Sequence, residues 1–458
     1  MHISQEEQRG SSRRRLAPMP HSTTCKAVLR RLVAISLLAG LGLGGTVGAQ
    51  GLPKGDARSV GMSAERLARF DALAEAAVED GRLAGVVTLV ARRGRVVQEG
   101  VYGLADLDDR RPMRQDTIFR IASMTKPLTS VAIMILLEEG LLLLSDPVTR
   151  YLPAFDRTPG VLGADGTLTP IDRPITLLDL LTHSSGMTGG GGDDGADAAY
   201  RAAGFDSSPL NDRDEPIARI VDKLAALPLA AQPGERCIYG FSTDVLGAVV
   251  EKVSGMSLAE FFRRRIFRPL EMHDSSFFLP PSKLDRLAAA HTLDADGQLR
   301  RGADDDMDWT GQGAFVHGPR RVYSGGGGLL STAPDYARFL QMLLNGGELD
   351  GVRILSPASV RLMTVNHVSE RYAEAGGFPG MGFGFGFEIK LKSDTHAYVV
   401  PTLASLGSYA WGGAAYTSFW VDPEQDLVAI FMAQLRPKSQ DDLSRRFGNI
   451  VYQAVLEP

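Results

Sequence analysis

Residues 121–127 read Ile-Ala-Ser-Met-Thr-Lys-Pro, and they hold the only Ser-x-x-Lys pattern in the 458-residue chain. Serine attacks a carbonyl only when a base takes its proton, and a lysine three residues further along a helix lies on the same face. Because proline is tolerated in the first helical turn, Pro127 predicts that Ser123 lies at or just before a helix N-terminus. The stretch predicts a Ser123 nucleophile beside Lys126. The alternative is that Ser123 only caps a core helix and Lys126 is an exposed first-turn residue.

The two ends of the chain have the periodicity of strands. Gly85–Ala91 and Val96–Tyr102 read as a hairpin, and Tyr416–Val421 and Leu427–Gln434 read as two further strands. Between these ends the pattern is mainly helical, and the helix predicted at 128–139 is apolar on nearly every side. We therefore expect that helix to be buried and to hold Ser123 rigidly.

Strands from both ends with helices between them predict an α+β fold. We expect an antiparallel sheet formed by both chain ends and flanked by helices, with a mainly helical lobe inserted. The predicted unit covers residues 50–458, with a sheet lobe at about 60–115 plus 325–458 and a helical lobe at about 116–324. The functional cleft is expected between the two lobes.

The first 49 residues differ in composition from the rest. A basic, Ser-rich stretch ends at Arg30 and Arg31, an apolar run covers 32–45, and small residues continue to Ala49. This order predicts a secretory signal peptide over residues 1–49, and so a periplasmic or secreted protein. Since the run is short and rich in glycine, we expect no stable membrane span after cleavage.

Charge and ligand content argue against several functions. Residues 1–49 hold seven of the 49 Lys and Arg and two of the 54 Asp and Glu, so the rest carries a formal charge of about −10. Nucleic acid is an unfavourable partner for such a chain. Cys237 is the only cysteine outside the leader, so no internal disulfide is expected. The histidines form neither His-x-His nor His-Glu-x-x-His, and we predict no metal and no cofactor.

Tyr239 follows a Pro-Gly turn at 233–234 and comes shortly before a predicted helix at 245–253. A tyrosine at such a junction can project into a cleft, where a nearby Lys126 would favour its phenolate and make it a general base. The alternative for a single tyrosine is ordinary ring packing with a hydrogen-bonded hydroxyl.

Residues 411–414 read Trp-Gly-Gly-Ala and come just before the strand predicted from Tyr416. Glycine inside or beside a strand allows a second backbone or a ligand to approach closely. The segment could present a peptide N–H to a carbonyl oxygen. Alternatively, the glycines mark a bulge and Trp411 belongs to the core.

In chain order, Ser-x-x-Lys, a Pro-Gly turn leading to tyrosine, and Trp-Gly-Gly before a C-terminal strand resemble the serine β-lactamase and penicillin-binding protein superfamily. The likeness is greatest to the family VIII carboxylesterases, beside the class C β-lactamases. It covers about residues 60–455 and includes the segments 144–153, 181–186 and 325–336. The resemblance implies a β-lactamase/DD-peptidase-like fold.

The resemblance also implies roles for individual residues. Ser123 would attack the substrate carbonyl, and Lys126 and Tyr239 would remove and relay its proton. The backbone N–H groups of Ser123 and Ala414 would form the oxyanion hole. The sequence does not decide whether Lys126 or Tyr239 is the base in acylation.

Two departures from the family pattern bear on the substrate. Penicillin-recognising relatives carry Asn where this chain has Phe241, and Lys or His where it has Trp411, which Gly412 and Gly413 follow. These residues are the predicted substrate-binding group. Phe241 cannot hydrogen-bond a substrate amide and Trp411 offers no cation to a β-lactam carboxylate, so such substrates would bind with unpaired polar groups.

The sequence therefore predicts an exported serine hydrolase that cleaves small-molecule carboxylic esters. One alternative within the superfamily is a β-lactamase or a DD-carboxypeptidase-like amide hydrolase. The alternative from another class is a catalytically silent module that binds peptidoglycan fragments or drugs. The physiological ester and the oligomeric state are not determined by the sequence.

Overall fold

A computed structural model describes residues 51–206, 208–368, 377, 379–393, 399–437 and 442–457. The predicted signal peptide at 1–49 lies outside the described residues. Within the described ranges, no helix combines the length and the apolar character needed to cross a bilayer.

The strands are short except in the central sheet. In chain order they are β1 (Gly85–Arg92), β2 (Arg95–Asp106), β3 (Arg111–Pro112), β4 (Phe119–Arg120), β5 (Val161–Leu162), β6 (Leu168–Thr169), β7 (His291–Leu293), β8 (Leu299–Arg301), β9 (Leu330–Ser331), β10 (Glu348–Leu349), β11 (Val352–Arg353), β12 (Met381–Phe383), β13 (Glu388–Lys390), β14 (Tyr409–Gly413), β15 (Thr417–Asp422) and β16 (Leu427–Met432).

The α-helices lie mostly between the two groups of sheet strands. In chain order they are α1 (Ala64–Leu67), α2 (Arg69–Glu79), α3 (Thr125–Glu138), α4 (Leu177–Leu181), α5 (Gly195–Ala202), α6 (Ile217–Leu224), α7 (Ser242–Ser254), α8 (Leu258–Phe262), α9 (Gly313–Val316), α10 (Ala333–Leu344), α11 (Pro357–Met363) and α12 (Leu443–Gln453). The segment 186–215, which reads as an irregular excursion in the sequence, contains α5.

Eight antiparallel strands form the central sheet, in the order β12-β13-β14-β15-β16-β1-β2-β3. Strand β1 pairs with β16, with Val90 opposite Ala429, so the two ends of the chain meet in the middle of the sheet. This arrangement confirms the predicted α+β class. The boundaries expected between a sheet lobe and a helical lobe stay a prediction.

Both faces of the sheet are covered, and the alternation of side chains along β1 shows how. Val87 and Leu89 belong to a core cluster with α3 and α10, whereas Val86 and Val90 belong to a second cluster with Phe447 of α12. Successive side chains of a strand point to opposite faces, so a strand covered on both sides is apolar throughout. The buried positions of β1 follow that rule.

Helix α3 is the element that fixes the site. Its first twelve residues, 125–136, are all buried, and the helix packs against α7. The helix predicted at 128–139 is therefore confirmed as buried, and it begins three residues earlier because Pro127 occupies its first turn.

Candidate active site

Ser123 lies in a single 3₁₀ turn, Ala122–Met124, that leads directly into α3. The residue before it, Ala122, has a φ of 43°, in the left-handed region that residues with a Cβ seldom adopt. Such conformations persist where the surroundings fix them, and they occur often at functional sites. The turn leaves Ser123 partly exposed while both of its neighbours are buried.

Hydrogen bonds hold this turn from the side of β9 and α10. The buried hydroxyl of Tyr336 donates to the carbonyl of Met124 at 2.8 Å. The Ile121 N–H donates to the Leu329 carbonyl at 3.1 Å, and the Leu329 N–H donates to Thr125 Oγ1 at 3.1 Å. The position of Ser123 is thus set by segments far from it in the sequence.

Lys126 is buried next to Ser123. Its side chain is only 5% exposed, and Nζ donates to Ser123 Oγ at 3.3 Å and to the Gly326 carbonyl at 2.6 Å. The spacing of three residues along one helix turn gives this contact, as predicted from the sequence. The lysine amine is therefore within proton-transfer distance of the serine hydroxyl.

Asp244 is connected to Lys126 through Gly326, whose carbonyl accepts from the lysine. Its Oδ1 accepts from Ser324 Oγ at 2.6 Å and from the Gly326 N–H at 3.1 Å. Burial raises the pKa of Asp244, although the Ser324 hydroxyl, the nearby Lys126 charge and the Gly326 N–H act in the opposite direction. A Cβ on Gly326 would lie 2.3 Å from Asp244 Oδ2, so only glycine fits between the two charged side chains.

Tyr239 completes the group, on the turn that precedes α7. The Lys126 Nζ lies 4.5 Å from the centroid of the Tyr239 ring. The ring packs against those of His183 and Trp411, with centroid distances of 4.7 and 5.6 Å. Tyr239 is 45% exposed, which leaves it accessible to a substrate. Ser123, Lys126 and Tyr239, 116 positions apart in the sequence at their extremes, thus meet at one place.

The His183 ring is neutral near pH 7 and is poorly suited to carry a proton. Burial, and then the charge of Lys126, lower the pKa of His183 to about 3. Its Nδ1 has no hydrogen-bond partner among the described residues. The imidazole instead packs between Tyr239 and Phe383, whose ring centroid is 5.6 Å away.

The end of β14 reaches the nucleophile because Gly413 lacks a side chain. A Cβ on Gly413 would lie 2.4 Å from the Ile121 carbonyl oxygen, which is inside any allowed contact. The next residue, Ala414, therefore lies beside the serine turn. Its backbone N–H makes no hydrogen bond within the described part of the chain. An unused N–H at this position suits an oxyanion donor.

These groups line one cavity of about 400 Å³. Trp411, Gly412 and Gly413 of the predicted substrate-binding group are not among the described residues that line it, and Trp411 acts on it only through the Tyr239 ring. Phe241 does line it, held edge-on by Phe205 at 5.4 Å. The other described residues that line it include Ser123, Lys126, Tyr239, Ala414 and Arg436.

Sequence reasoning missed two charged residues of this cavity. Asp244 falls in the first turn of α7, a position at which an acidic residue is usually explained by the helix dipole. Arg436 follows the last strand of the sheet and has no local motif around it. Only the folded chain places both beside Ser123.

Metal binding and cysteine chemistry have no support among the described residues. They contain no group of three or more His, Cys, Asp or Glu side chains arranged to hold a metal ion. Cys237 is buried, its Sγ donates to the Thr182 carbonyl, and burial raises the pKa of its thiol to about 12. Cys237 is therefore an inert packing residue and not a second nucleophile.

Known proteins share both the sequence and the fold. The Beta-lactamase family model matches residues 70–451. Protein Rv1367c of Mycobacterium tuberculosis is 37% identical over 371 residues, which are 78% of this chain and 87% of that protein. Esterase EstB of Burkholderia gladioli is 35% identical over 383 residues, which are 81% of this chain and 91% of the esterase.

A solved structure agrees with these matches. EstCE1, described as a hydrolase with promiscuous acyltransferase activity, superimposes with a TM-score of 0.72 and 28% identity, covering 86% of this chain and 99% of its own. The predicted β-lactamase/DD-peptidase-like fold is thereby confirmed. With a family match over most of its length and relatives above 30% identity, the chain belongs to the β-lactamase family.

Proposed function

We propose that this protein is a serine hydrolase that cleaves carboxylic esters through an acyl-enzyme on Ser123. The observation that carries the proposal is the 3.3 Å contact from Lys126 Nζ to Ser123 Oγ, in a cavity that Tyr239 also lines. Two proteins similar to this chain, EstB and EstCE1, are named as an esterase and a hydrolase, and this supports the same chemistry here.

Acylation begins when Ser123 Oγ attacks the ester carbonyl carbon and loses its proton to a base. Lys126 and Tyr239 are the two candidate bases, since both line the cavity with Ser123. The tetrahedral intermediate collapses as the C–O bond to the alcohol breaks, and the alcohol leaves with the proton. Water then attacks the acyl-enzyme, releases the acid and returns the proton to Ser123.

The developing negative charge falls on the former carbonyl oxygen. The backbone N–H groups of Ser123 and Ala414 are the proposed donors, and both residues line the cavity. Loss of one such donor typically raises the barrier by about 2.7–4 kcal/mol. The close packing of Gly413 on the Ile121 carbonyl would keep the two donors at a fixed separation.

Asp244 is proposed as a positioning residue. It holds the Gly326 N–H while the carbonyl of the same residue accepts from Lys126, so the carboxylate, the peptide and the amine form one connected chain. A buried lysine needs compensating negative charge and fixed acceptors. Asp244 would fix one such acceptor, the Gly326 carbonyl, by holding the N–H of the same residue.

The walls of the cavity favour esters over β-lactams. Phe241 presents an aromatic face where penicillin-recognising relatives have an amide side chain, and it is only 7% exposed. A substrate amide placed there would lose its hydrogen bonds to water without replacement. An ester has no N–H to satisfy and is not penalised in this way.

Replacing the nucleophile tests the first part of the proposal. Ser123→Ala should abolish p-nitrophenyl butyrate hydrolysis and labelling by a fluorophosphonate, because Ser123 Oγ is the hydroxyl to which Lys126 Nζ donates among the described residues. Intact-mass spectrometry of the wild type should show one added acyl or phosphonyl group. Ser130→Ala, in the same buried helix, is the matched control and should still be labelled. Labelling of the Ser123→Ala protein would contradict the assignment.

Substrate preference tests the second part. Short p-nitrophenyl esters should have a kcat/KM at least about a hundredfold above that of nitrocefin, since the missing amide partner removes a contact that such sites exploit strongly. The measurement is steady-state turnover of both by wild type, with the Ser123→Ala protein as background. A clear preference for nitrocefin would favour the β-lactamase alternative. Labelling without turnover of either would favour the silent binding module.

Asp244→Asn should lower the esterase activity without lowering the free energy of unfolding. We expect kcat/KM for esters to fall about ten- to a hundredfold, as for other small misplacements of a reacting group. Because the folded-state pKa of Asp244 is raised, its charge opposes folding once the pH exceeds the unfolded value. The variant should therefore not unfold more easily than wild type in urea at pH 7.

Asp146→Asn, at a position outside the cavity, is a control variant that should lose stability and keep its activity. Burial opposes the ionised form of Asp146, but hydrogen bonds from Tyr151, the Leu143 N–H and Arg150 lower its pKa overall. This carboxylate therefore stabilises the fold above its unfolded pKa and loses that effect as the pH falls. Asp146→Asn should lose about 1–3 kcal/mol at pH 7 and keep its specific activity. Equal activity losses in both variants would refute the role of Asp244.

We also propose that residues 1–49 direct export, as their basic stretch and apolar run suggest. Expression in a Gram-negative host should give a periplasmic protein whose mass begins near Gln50. Leu37→Arg interrupts the apolar run and should leave the full-length chain in the cytoplasm. A periplasmic product with the intact N-terminus would contradict cleavage, and cytoplasmic retention of both proteins would contradict export.

A further inference from the structure

Arg436 is held beside the oxyanion end of the cavity by its backbone. Its N–H donates to the His291 carbonyl at 3.0 Å, and the preceding Leu435 N–H donates to the Ala415 carbonyl at 3.1 Å. Its side chain lines the same cavity as Ser123 and Ala414. Arg436 thus borders the space in which a substrate would lie.

The Arg436 guanidinium has no protein partner in the described part of the chain, where it makes neither an ion pair nor a hydrogen bond. Other partly buried arginines of this chain are paired. Arg286 contacts the carboxylates of Asp116 and Asp274, and Arg301 contacts those of Asp106 and Asp304.

A half-buried guanidinium stays charged and gives up hydration, so leaving it unpaired is unfavourable. Burial accordingly lowers the pKa of Arg436, and the more distant Asp308 opposes that effect. Among the described residues Asp308 makes no ion pair with Arg436, and its Oδ1 accepts from the Thr310 N–H and hydroxyl, both at 2.6 Å, and from the Gly311 N–H. A half-buried guanidinium without a close partner among the described residues suits an anion-binding position.

The charges of the residues that line the cavity also favour an anionic ligand. Among its lining residues, Lys126 and Arg436 are cationic and Asp244 is the one acid, whose ionisation burial disfavours. The Asp244 carboxylate is also occupied by Ser324 and Gly326. A substrate anion would therefore be attracted into this space and would meet Arg436 as its free partner.

We infer that Arg436 binds a carboxylate carried by the ester substrate, in a bidentate contact that the planar guanidinium favours. The inference rests on the proposed esterase function and specifies its substrate class: esters with a free carboxylate on the acyl or the alcohol part. Arg436 would act in binding and orientation, while Ser123, Lys126 and Tyr239 carry out the bond chemistry.

Matched ester pairs test this inference. On the acyl side, p-nitrophenyl hemiglutarate is compared with its neutral methyl ester. On the alcohol side, p-acetoxybenzoate is compared with methyl p-acetoxybenzoate. At low ionic strength, wild type should prefer the charged member of at least one pair by about ten- to a hundredfold in kcat/KM. The pair that shows the preference identifies the part of the substrate that lies against Arg436.

The variant series uses the ratio of charged to neutral turnover as its readout. Arg436→Met should bring this ratio to about one, and Arg436→Lys, a compact cation, should retain part of it. Arg58→Met, at an exposed position outside the cavity, should keep the wild-type ratio. Fluorophosphonate labelling of Ser123 confirms that each variant is folded, and if Arg436→Met is not labelled, the Lys variant and the salt dependence of wild type decide the test.

The outcomes separate the inference from the proposed function. Turnover of both members of each pair without preference, or an unchanged ratio in Arg436→Met, would overturn the role of Arg436 and leave the esterase proposal intact. Absence of turnover for all four esters by a protein that also fails to hydrolyse p-nitrophenyl butyrate would overturn the esterase proposal itself.

Discussion

The buried amine of Lys126, placed between the Ser123 hydroxyl and the Gly326 carbonyl, is the interaction on which the site depends. An amine taken out of water needs fixed partners on every side. The 3₁₀ turn before α3 carries the serine, and Gly326, whose N–H is held by Asp244, supplies the carbonyl acceptor. The same requirement excludes a side chain at position 326, where a Cβ would overlap the carboxylate.

Around this centre the cavity divides into regions with different preferences. An aromatic wall that includes Phe241 and the exposed ring of Tyr239 offers apolar contact, and the β14 end offers a free peptide N–H at Ala414. Arg436 adds a cation where Trp411 supplies none. The cation missing from the family position thus has a counterpart from a different part of the fold, but Phe241 still leaves an amide without a partner. This combination supports the proposal that the substrate is a carboxylate-bearing ester and not a β-lactam.

The His183 ring has a packing role at this site. Its segment resembles the superfamily, yet the ring is neutral because burial and the Lys126 charge depress its pKa. A second cation next to Lys126 would oppose the charge on the lysine. The neutral imidazole instead packs against the Tyr239 ring, and in the proposed mechanism Lys126 and Tyr239 transfer the proton.

The sequence alone determined the parts that depend on local periodicity and spacing. Ser-x-x-Lys with Pro127 fixed the helix start and the serine–lysine contact, and the strand patterns at both ends predicted the α+β class, because these features need only neighbours along the chain. Asp244, Arg436 and the orientation of His183 could not be foreseen in the same way. Their roles arise from burial and from partners distant in the sequence, such as Gly326, which is 82 positions from Asp244, and only the tertiary structure sets which charges share one poorly solvated cavity.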